Sequence, residues 1–403
     1  MDKKAIFAVI VAALGYFVDV YDLIVFSVVR VASLKDLGLE GAALTDTGVF
    51  LLNTQLAGML LGGILWGIIG DKKGRLSILF GSIILYSLAN LANAYVTSVE
   101  QYAICRFLAG LGLAGEIGAG ITLVAELMPK NKRGIGTTIV ATCGVAGGLT
   151  AALIGDYFHW KTAYIIGGVM GLCLLVLRIA VSESGIFKKI EAQSDVRRGD
   201  LRLLFGNLSC LRRYLSCVLL GLPIWFLVGL IMTFAPEIGQ EMNIPTPLTT
   251  ANAILYFYGG LVIGDLCSGL LSQILKSRKK ALWIFVTGAF ICTALILNLP
   301  VTSAGLFYAL TGIAGFFSGY WAIFLTTTAE NFGTNLRATV TTSVPNMVRG
   351  GAILLSSAFG LIKGTFGIVM SLELIALITF GAALISVYMM RETFSLDLEY
   401  TEK

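Results

Sequence analysis

About twelve stretches of this chain stay apolar for roughly 20 residues, the length a helix needs to cross a bilayer core of about 30 Å. Their approximate extents are 5–30, 45–69, 76–96, 100–127, 134–156, 162–182, 214–236, 248–275, 281–299, 302–328, 337–361 and 366–390. Hydrocarbon offers backbone N–H and C=O groups no partner, so segments of this kind fold as helices. The expected fold class is therefore an all-α membrane protein. Of 403 residues, 57% are hydrophobic and 13% charged, which no ordinary soluble domain matches. The start, Met1-Asp2-Lys3-Lys4, has the look of a signal peptide. The apolar run behind it continues past Phe26, contains acids and lacks a small-residue cleavage site, so it reads as a retained first span.

The net charge of +5 is explained by orientation, since most basic residues lie in short loops between apolar runs. With the N-terminus inside, the connections on the inner side hold Lys72, Lys73, Arg75, Lys130, Lys132, Arg133, Lys276, Arg278, Lys279, Lys280 and Arg337, whereas the outer ones hold little beyond Lys35, Lys161 and Lys363. This one-signed bias predicts a multi-pass protein of the cell (inner) membrane with both termini cytoplasmic, and no nucleic-acid partner. The seven cysteines fall in or beside apolar runs without C-x-x-C spacing, and there is one histidine, His159. No metal site or other cofactor is expected. A G-x-x-x-x-G-K-[ST] nucleotide loop is missing from the sequence, so ATP is not expected to drive the protein directly. Nothing points beyond a monomer.

One polar insertion, 183–213, divides the chain into halves expected at 1–182 and 214–403. The halves match. Gly62 and Gly67 recur as Gly264 and Gly269, Glu126 and Arg133 as Glu330 and Arg337, and Thr137-Thr138 as Thr341-Thr342. Duplication of a six-span unit is the mark of a transporter whose two bundles rock about a site near the membrane midplane. The loop after the second run, Gly67-Ile68-Ile69-Gly70-Asp71-Lys72-Lys73-Gly74-Arg75, resembles the G-x-x-x-D-[RK]-x-G-[RK] signature of the major facilitator superfamily. Leu76 stands where a further basic residue is usual, and Ser272 and Gln273 replace Gly70 and Asp71 in the second copy. Arg106-x-x-x-Gly110, Tyr21-Asp22 and Ala125 to Gly134 are similar to the metabolite:proton symporter side of that superfamily. The resemblance implies two six-helix bundles. It also implies that Asp71, Arg75, Glu126 and Arg133 act as a cytoplasmic gate, the alternative being helix-end charges that answer helix dipoles.

Ionisable groups inside spans are functional candidates because each costs several kcal/mol unless paired or hydrated. Gly15, Asp19, Asp22 and Phe26 share one helical face. Asp19, Asp22 and Glu116 are the candidate proton carriers, and Arg106 is expected to pair with Asp22. For the acids, a fixed ion pair or a helix lock is the competing reading. Twelve residues at 1.5 Å carry Arg349 roughly 18 Å along its helix from Arg337, with Asn346 one turn below and Pro345 beside them. An arginine at that depth suits a carboxylate, or is neutralised by Asp265 or a first-span acid. Tyr256, Tyr320, Trp321 and Trp225 are the candidate aromatic contacts, with plain packing the competing reading.

The expected function is import of a small organic anion, a carboxylate metabolite, together with protons by alternating access. Carriage of an amino acid, siderophore or other zwitterion is the alternative. Gly144-Val145-Ala146-Gly147-Gly148 lacks the proline usual in drug-efflux antiporters, which disfavours efflux. The retained intramembrane charges disfavour a transport-dead sensor, and no nucleophile and base pair suggests an enzyme.

Overall fold

The computed structural model describes residues 3–73, 75–116, 133–178, 206–300, 303–332 and 334–394. These residues are helical almost throughout. The first half supplies α1 (Lys3–Asp36), α2 (Gly41–Lys73), α3 (Arg75–Asn93), α4 (Val99–Leu113), α5 (Arg133–Tyr157) and α6 (Trp160–Arg178). The second half begins with α7 (Leu208–Phe226), which widens into a π-helical turn at Leu227–Met232, followed by short α8 (Ala235–Glu241). It continues with α9 (Thr250–Ile274), α10 (Arg278–Asn298), α11 (Ala304–Ser318), α12 (Trp321–Glu330), α13 (Thr334–Phe366) and α14 (Ile368–Met389). Among the described residues, 9 helical stretches are long and apolar enough to cross a membrane. The seventh span starts at Leu208, six residues before the expected 214, because Asn207 caps it by accepting from the N–H groups of Ser209 and Cys210.

Short polar caps set several other starts. Ser98, Thr249, Ser277 and Ser303 each accept from the N–H three residues on, opening α4, α9, α10 and α11. Helix α14 is capped from a distance: Glu241 of α8 accepts from the N–H of Ile368 at 2.7 Å and of Val369 at 2.9 Å.

The duplication seen in the sequence is also a duplication of packing. Helices α1 with α5, α2 with α4, α3 with α6 and α1 with α6 pair in the first half; α7 with α13, α9 with α11, α10 with α14 and α7 with α14 do so in the second. The two halves meet mainly through α2 against α13 and α5 against α9. Glycine makes the tightest of these pairings possible. A Cβ on Gly58 or Gly62 would lie 2.2 or 2.3 Å from the carbonyl oxygen of Phe107 or Leu111. In the second half a Cβ on Gly260 or Gly264 would lie 1.9 Å from that of Gly312 or Phe316. Backbone therefore touches backbone between α2 and α4, and again between α9 and α11.

Gly269, on the same helix as Gly264, has open space where a Cβ would go. Gly264→Val is expected to destabilise the protein by about 1–3 kcal/mol through forced separation of α9 and α11. Gly269→Val should leave stability nearly unchanged, and thermal unfolding of the two purified variants measures the difference.

Candidate functional site

Helix α1 packs mainly on α5 and α6 of its own half and also reaches α9 of the other; it carries the first set of polar groups. Its Asp19 and Asp22 are both fully buried, so the prediction that they look inward is met. They meet different partners. Asp19 faces the second half, where Arg349 of α13 donates from Nη2 to Asp19 Oδ2 at 3.2 Å. Arg349 is 1% exposed, its Nε and Nη1 have no hydrogen-bond partner, and its guanidinium lies 5.6 Å from the Trp225 ring centroid. One edge of the guanidinium is thus held by an acid of the other half while the remaining donors are left over.

Around this pair the two halves share further contacts. Trp321 Nε1 donates to Tyr16 Oη at 3.1 Å, and Tyr16 is one helical turn before Asp19 on the same face of α1. Asn346, one turn from Arg349 on α13, donates from Nδ2 to the Ala114 carbonyl at 3.2 Å. That carbonyl is available because α4 stops at Leu113. Tyr258 of α9 packs on Gly148 of α5, where a Cβ would lie 2.5 Å from its ring. Arg349, Asn346, Trp225 and Trp321 of the expected substrate set therefore gather in one place, joined by Tyr16 and Tyr258.

Two members of that set lie elsewhere. Tyr256 is half exposed and stacks on Tyr308 with ring centroids 5.5 Å apart, because it points from α9 to the outside of the bundle. Tyr320 is fully buried, but its hydroxyl donates to the Leu220 carbonyl at 3.0 Å and ties α12 to α7 within the second half.

Asp22 faces the interior of the first half. A Cβ on Gly167 of α6 would lie 2.3 Å from its Oδ1, so only glycine admits the carboxyl there. Asn90 and Arg106 are beside it. The expected Asp22 to Arg106 ion pair is not formed. Arg106 instead donates to Asn90 Oδ1 at 2.7 Å and Asn93 Oδ1 at 3.3 Å, over the Tyr164 ring at 4.5 Å. Two asparagines of α3, which composition does not single out, take up the cation.

Glu116, expected as a proton carrier, is held at both oxygens. Arg178 donates from Nη1 to Oε1 at 2.9 Å and from Nη2 to Oε2 at 2.7 Å, and both side chains are 2% exposed. The pair clamps α6 to the end of α4 against Gly15 of α1, where a Cβ would lie 2.2 Å from Arg178 Nη2. This geometry is that of a lock within the first half.

A last group of contacts joins the halves at the face opposite the start of α1. Arg30 Nη2 donates to Glu237 Oε1 at 2.8 Å and to the Thr233 carbonyl at 3.0 Å, with the Phe234 ring 4.5 Å away. Thr233 Oγ1 donates to Ser27 Oγ at 3.0 Å. Lys363 and Asp46 pair at 2.8 Å, and Asn53 bonds both Ser357 and Ser356. Of these residues Lys363 stands out in the sequence, as an outer-side charge.

The description "Major Facilitator Superfamily" matches residues 7–348. The chain belongs to that superfamily. As a member it is a multi-pass membrane transporter of the two-bundle type, and not an enzyme. It is 24% identical over 398 residues to the sialic acid transporter NanX of Escherichia coli, covering 95% of this chain and 92% of the relative. It is 31% identical over 185 residues to the 4-hydroxybenzoate transporter PcaK of Pseudomonas putida, covering 44% of this chain and 40% of that one. Among solved structures, a D-xylose-proton symporter superimposes with a TM-score of 0.73 at 18% identity, over 96% of this chain and 98% of the other.

The facilitator signature is described in its second copy. Arg278 Nη2 contacts Glu330 Oε1 at 3.4 Å, and Thr393 Oγ1 donates to Glu330 Oε2 at 2.7 Å. These residues stand about 204 positions beyond Arg75 and Glu126. In the first copy Glu126 and the side chains of Asp71, Arg75 and Arg133 lie outside the described residues.

Removing one member of the Glu116–Arg178 clamp leaves a buried charge without its partner. Arg178→Met is expected to destabilise this facilitator by about 3–5 kcal/mol. Combining it with Glu116→Leu should restore most of that loss, a non-additivity that a double-mutant cycle of thermal unfolding reads directly.

Proposed function

We propose that the protein imports a small organic anion, a carboxylate metabolite, together with protons, by alternating access between its two halves. The observation that carries this reading is the buried Asp19–Arg349 pair across the halves, with two guanidinium nitrogens of Arg349 left without partners. An incoming carboxylate fits the free edge of that guanidinium bidentately and competes with Asp19 for its charge. Once displaced, Asp19 is a buried carboxylate with no cation, and a proton removes that cost. Anion and proton then enter together. Trp225, Trp321, Tyr16 and Tyr258 supply flat apolar walls around the guanidinium, which suits a substrate whose carboxylate sits on a ring. The 4-hydroxybenzoate and sialic acid carriers among the relatives are named for carboxylates, which supports the class.

Asp22, with Arg106 near but not paired to it, is the second proton carrier in this scheme. Protonation of Asp22 frees Arg106 to remain on Asn90 and Asn93; ionisation draws it toward the acid. Glu116 keeps its arginine and acts as the clamp. Both termini face the cytoplasm, so the Arg30–Glu237 and Asp46–Lys363 contacts close the outer side. The halves divide at 1–182 and 214–403, joined by a cytoplasmic segment. The cytoplasmic gate is made by Asp71, Arg75, Glu126 and Arg133, and it forms when the outer contacts break.

The reading is tested by thermal shift of the purified protein with benzoate, 4-hydroxybenzoate, nicotinate and sialic acid at acid and neutral pH. Amino acids are added as amine-bearing competitors. Binding at about 100 times Kd stabilises the fold by about 2.7 kcal/mol. Stabilisation by one or more carboxylates, stronger at acid pH and lost in the doubly neutral Asp19→Asn/Arg349→Gln variant, is the expected result. Stabilisation by amine-bearing compounds alone, or unchanged in that variant, overturns it.

A further inference from the structure

The rod formed by α11 and α12 is broken at Gly319 and Tyr320, between Ser318 and Trp321. The break places the N-terminus of a ten-residue helix in the protein interior, with leading N–H groups that its own turns cannot satisfy. Asp265 of α9 meets it, its Oδ1 accepting from the Ala322 N–H at 3.1 Å. Gly319 allows the approach, since a Cβ there would lie 2.3 Å from the Asp265 backbone nitrogen. Asp265 is 2% exposed and its Oδ2 has no hydrogen-bond partner. Among the described residues no lysine or arginine forms an ion pair with it.

The first half also sets an acid at a helix end, with a different outcome. Helix α4 ends at Leu113, and Gly115 beyond it lies 204 residues before Gly319. The acid at that end, Glu116, holds Arg178 at both oxygens. Each half therefore sets a buried acid at a helix end, one with a buried cation and the other with only the leading N–H groups of α12. A helix N-terminus offers roughly half an elementary charge and up to about 2 kcal/mol. Burying a full carboxylate costs several kcal/mol. The first does not offset the second, so the acid without a cation is held neutral.

We propose that Asp265 is a proton-binding site in the second half of the protein, with the proton on Oδ2 while Oδ1 caps α12. Titratable groups on the elements packed around it do not compete for this role. Tyr16 of α1 and Tyr258 of α9 are phenols, and Asp19 is paired with Arg349 through Oδ2. Arg278 of α10 is paired with Glu330 of α12, and Lys279 donates to the Tyr388 carbonyl. Asp156 of α5 and Tyr308 of α11 lie near helix ends. The site also reaches the other half: Trp321, the first residue of α12, donates to Tyr16 of α1. Loss of the proton tightens the grip of Asp265 on the α12 N-terminus and shifts the residue that closes this contact. That the proton moves with a substrate rests on the proton-coupled reading above; its presence on Asp265 does not.

The test is an infrared pH titration of the purified full-length protein without substrate, with carbon-13 in the aspartate side-chain carboxyls. A protonated carboxyl gives a C=O stretch distinct from the carboxylate bands, and the label assigns it to aspartate. The expected spectrum at neutral pH has such a band, one component of which disappears in Asp265→Asn. Asparagine retains an acceptor for the Ala322 N–H, so the thermal transition should be kept; Asp265→Ser provides the same comparison if the amide variant does not fold. Absence of a protonated aspartate band at neutral pH, or a band unchanged in both variants, overturns the proposal. Loss of the component on replacing choline chloride with sodium chloride also overturns it, in favour of a metal-cation site. A failed carboxylate screen with a positive titration would sink the transport reading and leave the proton site standing.

Discussion

One ion pair across the halves is buried on both sides, Asp19 of α1 with Arg349 of α13, and it constrains how the halves can sit against each other. A lone charge there would cost several kcal/mol, and the pair removes much of that cost only while the halves stay in register. In the proposed function it is this interaction that an incoming carboxylate contests. Around it the neighbouring contacts are weaker and neutral: Trp321 to Tyr16, and Asn346 to the Ala114 carbonyl.

Within each half the opposite holds. Backbone-to-backbone contact at Gly58, Gly62, Gly260 and Gly264, and the two-pronged Glu116–Arg178 clamp, leave little freedom between helices. Lipid provides no hydrophobic drive for helix association, so close packing and satisfied polar groups must supply it. The polar staple of Arg30, Thr233 and Glu237 with Ser27 at one face instead bridges the halves.

Much of this was legible in the chain. Run length and the loss of hydrogen-bonding solvent in hydrocarbon dictate the helices, and the repeated glycines near an offset of 202 foretell the duplicated packing. The inward face of Asp19 and Asp22 follows from helical spacing, and the depth of Arg349 from its rise per residue. The partners did not follow. Asp22 and Arg106 are close in depth, yet the guanidinium goes to Asn90 and Asn93. Tyr256 has the composition of a site residue but turns outward from α9. Arg178 and Glu116 are 62 residues apart with no spacing to connect them.

The sequence alone determined the kind of elements, the twofold repeat and the short list of charges that a membrane interior would have to accommodate, because these depend on local composition and solvent. Tertiary structure alone decided which charge met which. Helix rotation, the stop of α4 at Leu113 and the break between α11 and α12 bring together side chains up to 330 positions apart. A buried charge is settled by the nearest group in space, and in a bundle of helices that nearness is set by packing and not by position along the chain.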